Sequence, residues 1–188
     1  MLRSEVDRNK LSPMMQQYME IKDQYPEELV FYRLGDFYEM FFDDALVASR
    51  ELELTLTGRV AGLNERVPMC GVPHNNVKSY IEKLVNKGYR VAICEQLEDP
   101  KTTGNRMVKR GIVDVISKGT IADNDLLNDL ETSFIAGINF YQDAINITIL
   151  DISTSFLANL TIDNNMDDLI NEILNYNIKE IVLMDNSN

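Results

Sequence analysis

An α/β fold with a mixed sheet, followed by a second domain that is small or cut short, is the architecture this sequence predicts. Three observations predict it. Strand-like runs rich in aromatic and β-branched residues ("LVFYRL", "YRVAICEQL", "GIVDVIS") alternate with helical segments through the first two-thirds of the chain. After the turn at "SKGT" the pattern changes to three short strands in succession, "FIAGINFY", "AINITIL" and "FLANLTI". The charge changes with it: residues 1–120 hold 17 Lys and Arg against 18 Asp and Glu, residues 121–188 hold 1 against 12, so the net charge of −12 lies almost wholly in the last third. The expected division is therefore 1–120 and 121–188.

Taken in order, "SPMMQQYMEIKDQY" opens a helix with Ser12 as N-cap and Pro13 at the first helical position. "LVFYRL" is a strand. From Asp36 the spacing predicts a helix to about Leu52, with Tyr38, Phe41, Phe42, Ala45, Ala48 and Leu52 forming the apolar stripe. "GRVAGLNERVPMCGVPHNN" shows no period and carries three Gly and two Pro, so it reads as a long irregular connection. A helix follows from about Val77 to Asn86, closed by Gly88. "YRVAICEQL" is a strand buried along Val91 and Ile93, "EDPKTTGNRM" a polar loop, and "GIVDVIS" a further strand. In the last third a short helix at "DNDLLNDL" precedes an antiparallel meander, a helix at "MDDLINEILNY" and a strand at "EIVLM".

Several function classes fall away at this stage. No run approaches the ~18 apolar residues of a membrane span, and the polar start "MLRSEVDRNKL" is not a secretory signal. Cys70 and Cys94 lack the spacing of a zinc site or a disulfide framework, which suits a reduced, cytoplasmic protein. There is no phosphate-binding loop, no dinucleotide turn and no nucleophile elbow. The lone His74 has no second His to share a metal and reads as a loop-packing residue. Asp151, at a strand end, reads as a turn residue, because two-metal hydrolysis needs several converging carboxylates. A basic segment does stand out: Lys101, Arg106, Lys109, Arg110 and Lys118 against the single acid Asp114 within residues 101–120, where a phosphate backbone could lie.

The stretch "RLGDFYEMFFDD" sets four aromatics among four carboxylates. Asp36 with Glu39 three residues on has the D-x-x-E spacing of a capping box, which would make both residues structural. The alternative is that Phe37 is presented outward at the rim of the sheet. Whether its ring is exposed or buried separates the two.

"LSPMMQQYMEIKDQYPEELVFYRLGDFYEMFFDDA", "LTLTGR", "VPMCGVP", "YIEKLVNKGYRVAICEQLEDP" and "GTI", then more loosely "LDIST", resemble the opening of the bacterial MutS family of DNA mismatch-recognition proteins. "GDFYE" together with "VAICEQ" at this separation is the most specific part. The resemblance implies a mismatch-binding domain followed by the first part of an RNase H-like connector domain. It implies no catalysis by this chain, since ATP and Mg belong to an ATPase domain outside it. Partners implied are mismatched duplex DNA, a second copy in the full-length form, and a MutL-type protein at the connector. The family's F-x-E motif maps to Phe37, which would stack on a mispaired base in the minor groove, and Glu39, which would hydrogen-bond to it. Arg59, Arg66, Arg106, Lys109 and Arg110 are candidates for the DNA backbone. Three positions depart from the pattern: His74 where Tyr is usual, Asp114 where a basic residue is usual, and Lys118 where Pro is usual. The rival readings are a structural or protein-interaction module, and a metal-dependent nuclease built on the RNase H-like half.

Overall fold

The computed structural model describes residues 2–98, 107–120 and 134–183. The chain forms two compact units, Met1–Ile116 and Ser117–Asn188. The α/β class expected from the sequence is the one observed.

The first unit is built on a six-stranded sheet. Helix α1 (Pro13–Gln24) leads into strand β1 (Leu29–Leu34), followed by β2 (Phe37–Phe41), α2 (Phe42–Glu51), β3 (Thr57–Arg59), β4 (Val67–Pro73), α3 (Val77–Asn86), β5 (Val91–Gln96) and β6 (Arg110–Ile116). Across the sheet the order is β3-β4-β2-β1-β5-β6. β1 and β5 run parallel, and every other neighbouring pair is antiparallel. One face is sealed by α1: Met15, Tyr18 and Met19 pack on Val30, Tyr32, Phe41, Phe42, Ala92 and Cys94. The Tyr18 ring meets Phe41 edge-on at 5.0 Å and Tyr32 at 5.5 Å, the geometry that ring quadrupoles favour.

Two expectations are corrected. The helix expected from Asp36 begins only at Phe42, and residues 37–41 are a strand. Gly35 and Asp36 form a two-residue hairpin between Leu34 and Phe37, which pair directly. Gly35 has φ +58°, a left-handed value at the first central position, where a type II′ turn requires Gly. The capping box therefore does not exist: Asp36 is in a turn and Glu39 lies mid-strand. The connection expected to be irregular over 58–76 contains most of β3 and all of β4, which pair through Thr57–Met69 and Arg59–Val67. Its two prolines stand at or beside the ends of β4's ladder with β2, which runs from Met69 to Pro73, so the central pairs keep their donors. Helix α3 has the expected bounds, and Gly88 closes it with φ +87° as its N–H donates to Val85 O at 2.9 Å.

The two cysteines are buried, and burial pushes both thiols up to about 12. Neither forms the reactive thiolate at neutral pH. An aromatic disulfide reagent at pH 8 should therefore find no thiol in the native chain and both after denaturation; rapid labelling of the native protein would contradict the packing described.

In the second unit β7 (Phe134–Phe140), β8 (Ala144–Asp151) and β9 (Phe156–Asp163) form the expected meander. Helix α4 (Met166–Asn175) returns the chain so that β10 (Ile178–Leu183) pairs parallel to β7, in the order β10-β7-β8-β9. Ile145, Ile147 and Ile149 alternate toward Leu169 of α4, while Asn146 and Thr148 on the other face bond to Thr161 and Asn159. Asp151 ends β8 and accepts from Ser153 N at 2.9 Å, Ser153 Oγ at 2.6 Å and Thr154 Oγ1 at 2.7 Å. Those donors hold its carboxyl below the usual range and tie it to the β8–β9 turn. The helix expected at 123–130 and most of the loop at 98–107 lie outside the described residues.

Candidate nucleic-acid interface

The β1–β2 hairpin projects two side chains on one face. In a strand, residues i and i+2 point the same way, so Phe37 and Glu39 share the face that, two residues further on, carries the buried Phe41. A helix would have set Phe37 and Glu39 about 200° apart around its axis. At ~3.3 Å per residue Phe37 stands ~13 Å along the strand from Phe41, beyond the aromatic cluster. Its ring is 48% exposed, against 0% for Phe41. Leu34 and Pro73 flank it on the neighbouring strands. His74 braces the turn from outside: its backbone N–H donates to Asp36 O at 2.9 Å, and its Nδ1 lies 3.2 Å from the same oxygen.

Glu39 is half-buried and forms an ion pair with Arg59 of β3. Gly71 of β4 faces Glu39 across the sheet. A Cβ there would sit 3.2 Å from Tyr38 O and 3.4 Å from Glu39 Cγ, so glycine leaves the space that Glu39 uses.

On the opposite face, the hairpin is held by residues that sequence reasoning did not single out. Tyr38 donates its hydroxyl to Glu95 Oε1, Arg33 Nη1 lies 3.5 Å from the same oxygen, and the Arg33 guanidinium lies 5.4 Å from the Tyr38 ring centroid. Arg33 Nε also donates to Gly35 O at 2.5 Å, clamping the turn. Burial, reinforced by Glu95, raises the Tyr38 hydroxyl to about 12, so it remains a donor. Tyr38 belongs to "GDFYE" and Glu95 to "VAICEQ": the two motifs meet across β1.

The basic candidates divide. Arg66 and Lys109 are exposed, and Arg59 is half-exposed. Arg106 lies outside the described residues. Arg110 is turned inward: its guanidinium lies 5.1 Å from the Tyr32 ring centroid, and it donates to Arg33 O at 2.9 Å and Val108 O at 3.1 Å. Those contacts make Arg110 a brace between β1 and β6. Asp114 is exposed on β6, and Lys118 is exposed in the turn that follows.

Residues 12–125 match the family described as MutS domain I. The chain belongs to the MutS family. It is 49% identical over 178 residues to the DNA mismatch repair protein MutS of Clostridium botulinum, covering 95% of this chain and 19% of that protein. To the proteins of the same name from Acetivibrio thermocellus and Listeria monocytogenes it is 48% and 49% identical, each over 92% of this chain and 20% of the relative. The chain thus spans about a fifth of the length of the curated MutS relatives it matches. The hairpin with Phe37 and Glu39, and both motifs that brace it, fall inside the segment matched to MutS domain I.

Proposed function

We propose that the first unit inspects duplex DNA for mispaired or looped bases, as the opening step of DNA mismatch repair. Phe37 acts as the wedge that stacks on the mispaired base from the minor groove, and Glu39 hydrogen-bonds to that base. The observation that carries this reading is the exposed Phe37 ring on the same strand face as Glu39, at the end of a braced hairpin. An apolar wedge unstacks a step and kinks the duplex, and a mispair yields to this at lower cost than a paired step. Arg59, Arg66 and Lys109 are the cations proposed for the phosphates.

The second unit is proposed as the opening part of an RNase H-like connector, where a MutL-type protein would dock. Its meander, helix and parallel fifth element are consistent with that fold, and Asp151 serves its turn rather than a metal. Dimerisation, and ATP hydrolysis with Mg, are assigned to segments of the full-length protein outside this chain, which itself acts by binding.

The test is a titration of the chain with a duplex carrying one mispair and with its fully paired counterpart, over a range of salt. The expected result is weak binding that favours the mispaired duplex, with a log–log salt slope of about −0.9 per phosphate neutralised. Equal affinity for both duplexes, or indifference to salt, would overturn the reading.

A further inference from the structure

The ion pair between Arg59 and Glu39 sits oddly with a recognition role for either residue, because each occupies the other. Among the described residues Arg59 is the cation within ion-pair distance of Glu39. The pair is not locked in the core: the side chains are 35% and 16% exposed. Arg59 ends a three-residue strand at the sheet edge, where β4 is the single hydrogen-bonded neighbour of β3. The Arg59 side of the pair reaches solvent, and a guanidinium binds phosphate oxygens as well as it binds a carboxylate.

The geometry points to an exchange of partners. In the DNA-free protein Arg59 holds Glu39, keeping an anion neutralised on a surface that must approach phosphates. At a mispair Glu39 turns to the base and Arg59 moves to a backbone phosphate. On paired duplex Glu39 finds no base partner and the pair stays closed. Arg59 is then a positioning residue that ties one phosphate contact to recognition of the mispair. This rests on the Phe37–Glu39 reading above.

The exchange has a signature that a merely structural ion pair lacks: the mispaired complex neutralises one phosphate more than the paired complex. With this chain carried in the full-length Listeria monocytogenes relative in place of its matching 173 residues, binding to both duplexes is measured over salt. The mispaired slope should be steeper by about 0.9, so raising salt from about 50 to about 200 mM lowers the mispaired-to-paired affinity ratio about 3.5-fold. Arg59→Ala should abolish the difference, and Arg59→Lys should keep it. Glu39→Gln releases Arg59 on both duplexes. Paired binding then rises at low salt and its slope steepens by the same amount, and adding Arg59→Ala removes that gain. Equal slopes in the unmodified protein, or a difference that survives Arg59→Ala, would overturn the exchange. A chimaera in which Phe37→Ala leaves the mispair preference intact would instead overturn the recognition reading itself.

Discussion

Phe37→Ala should bring the affinities for mispaired and paired duplex together while leaving the melting temperature nearly unchanged. Base–aromatic stacking contributes roughly 1–3 kcal/mol, or about 5- to 150-fold in affinity, and under the proposed function that gain is made at a mispair. The fold has little to lose at this position, because the ring is 48% exposed and its strand is held by backbone pairing on both sides. Phe41→Ala is the internal control. Phe41 lies on the same strand and face but is 0% exposed, against Tyr18 and Tyr32, so its removal should cost about 3–5 kcal/mol of stability. If Phe37→Ala melted as early as Phe41→Ala while mispair preference survived, Phe37 would be a core residue and the wedge would have to be sought elsewhere.

Asp44→Ala should be the most damaging single substitution in the first unit outside its aromatic core. Asp44 and Lys22 form an ion pair of 2.9 Å with side chains 5% and 7% exposed. The same carboxylate accepts from Val30 N at 3.0 Å and from the Tyr18 hydroxyl at 3.2 Å, while Lys22 Nζ donates to Glu28 O at 2.6 Å. Burial raises the Asp44 carboxyl above the usual range, and the Lys22 ammonium opposes that shift. This network joins α1, β1 and α2. Removing Asp44 alone strands a buried ammonium, and breaking one side of such a pair costs about 3–5 kcal/mol. Urea unfolding should show a lower midpoint at unchanged slope. The double variant Lys22→Met, Asp44→Leu removes both charges together and should recover most of the loss. A single substitution costing under about 1 kcal/mol would mean that water reaches the pair and solvates Lys22 in place of Asp44.

The error at the hairpin was made by a real signal. Tyr38, Phe41, Phe42, Ala45, Ala48 and Leu52 do recur at helical spacing, and α2 buries Phe42, Ala45 and Ala48, with Leu52 as its C-cap. The pattern ran too far towards the N-terminus because Tyr38 and Phe41 are buried for another reason. Tyr38 lies against Phe31 on one side of the sheet, and Phe41 lies against Tyr18 on the other. The corrective signal was also in the chain: two aromatic-rich runs separated by Gly-Asp are a two-residue hairpin. β4 was hidden differently, since its two prolines and one glycine resemble a loop until its register places them where donors and side chains are not needed.

The α/β class, the strands at "LVFYRL" and "VAICEQ", helix α3 and the meander of the second unit were legible in the residues alone. These depend on local periods and caps, which a single segment carries complete. Family membership was legible too, because short motifs keep their spacing whatever the fold does with them. Strand pairing set Phe37 and Glu39 facing one way and brought Tyr38 to Glu95. It also decided that Arg110 turns inward and that Glu39 is held by Arg59. Each of these is a contact across strands, the last between residues 20 apart with β4 between their strands. Such a contact depends on which strands pair and in what register, and a one-residue slip would turn Phe37 and Glu39 to the opposite face.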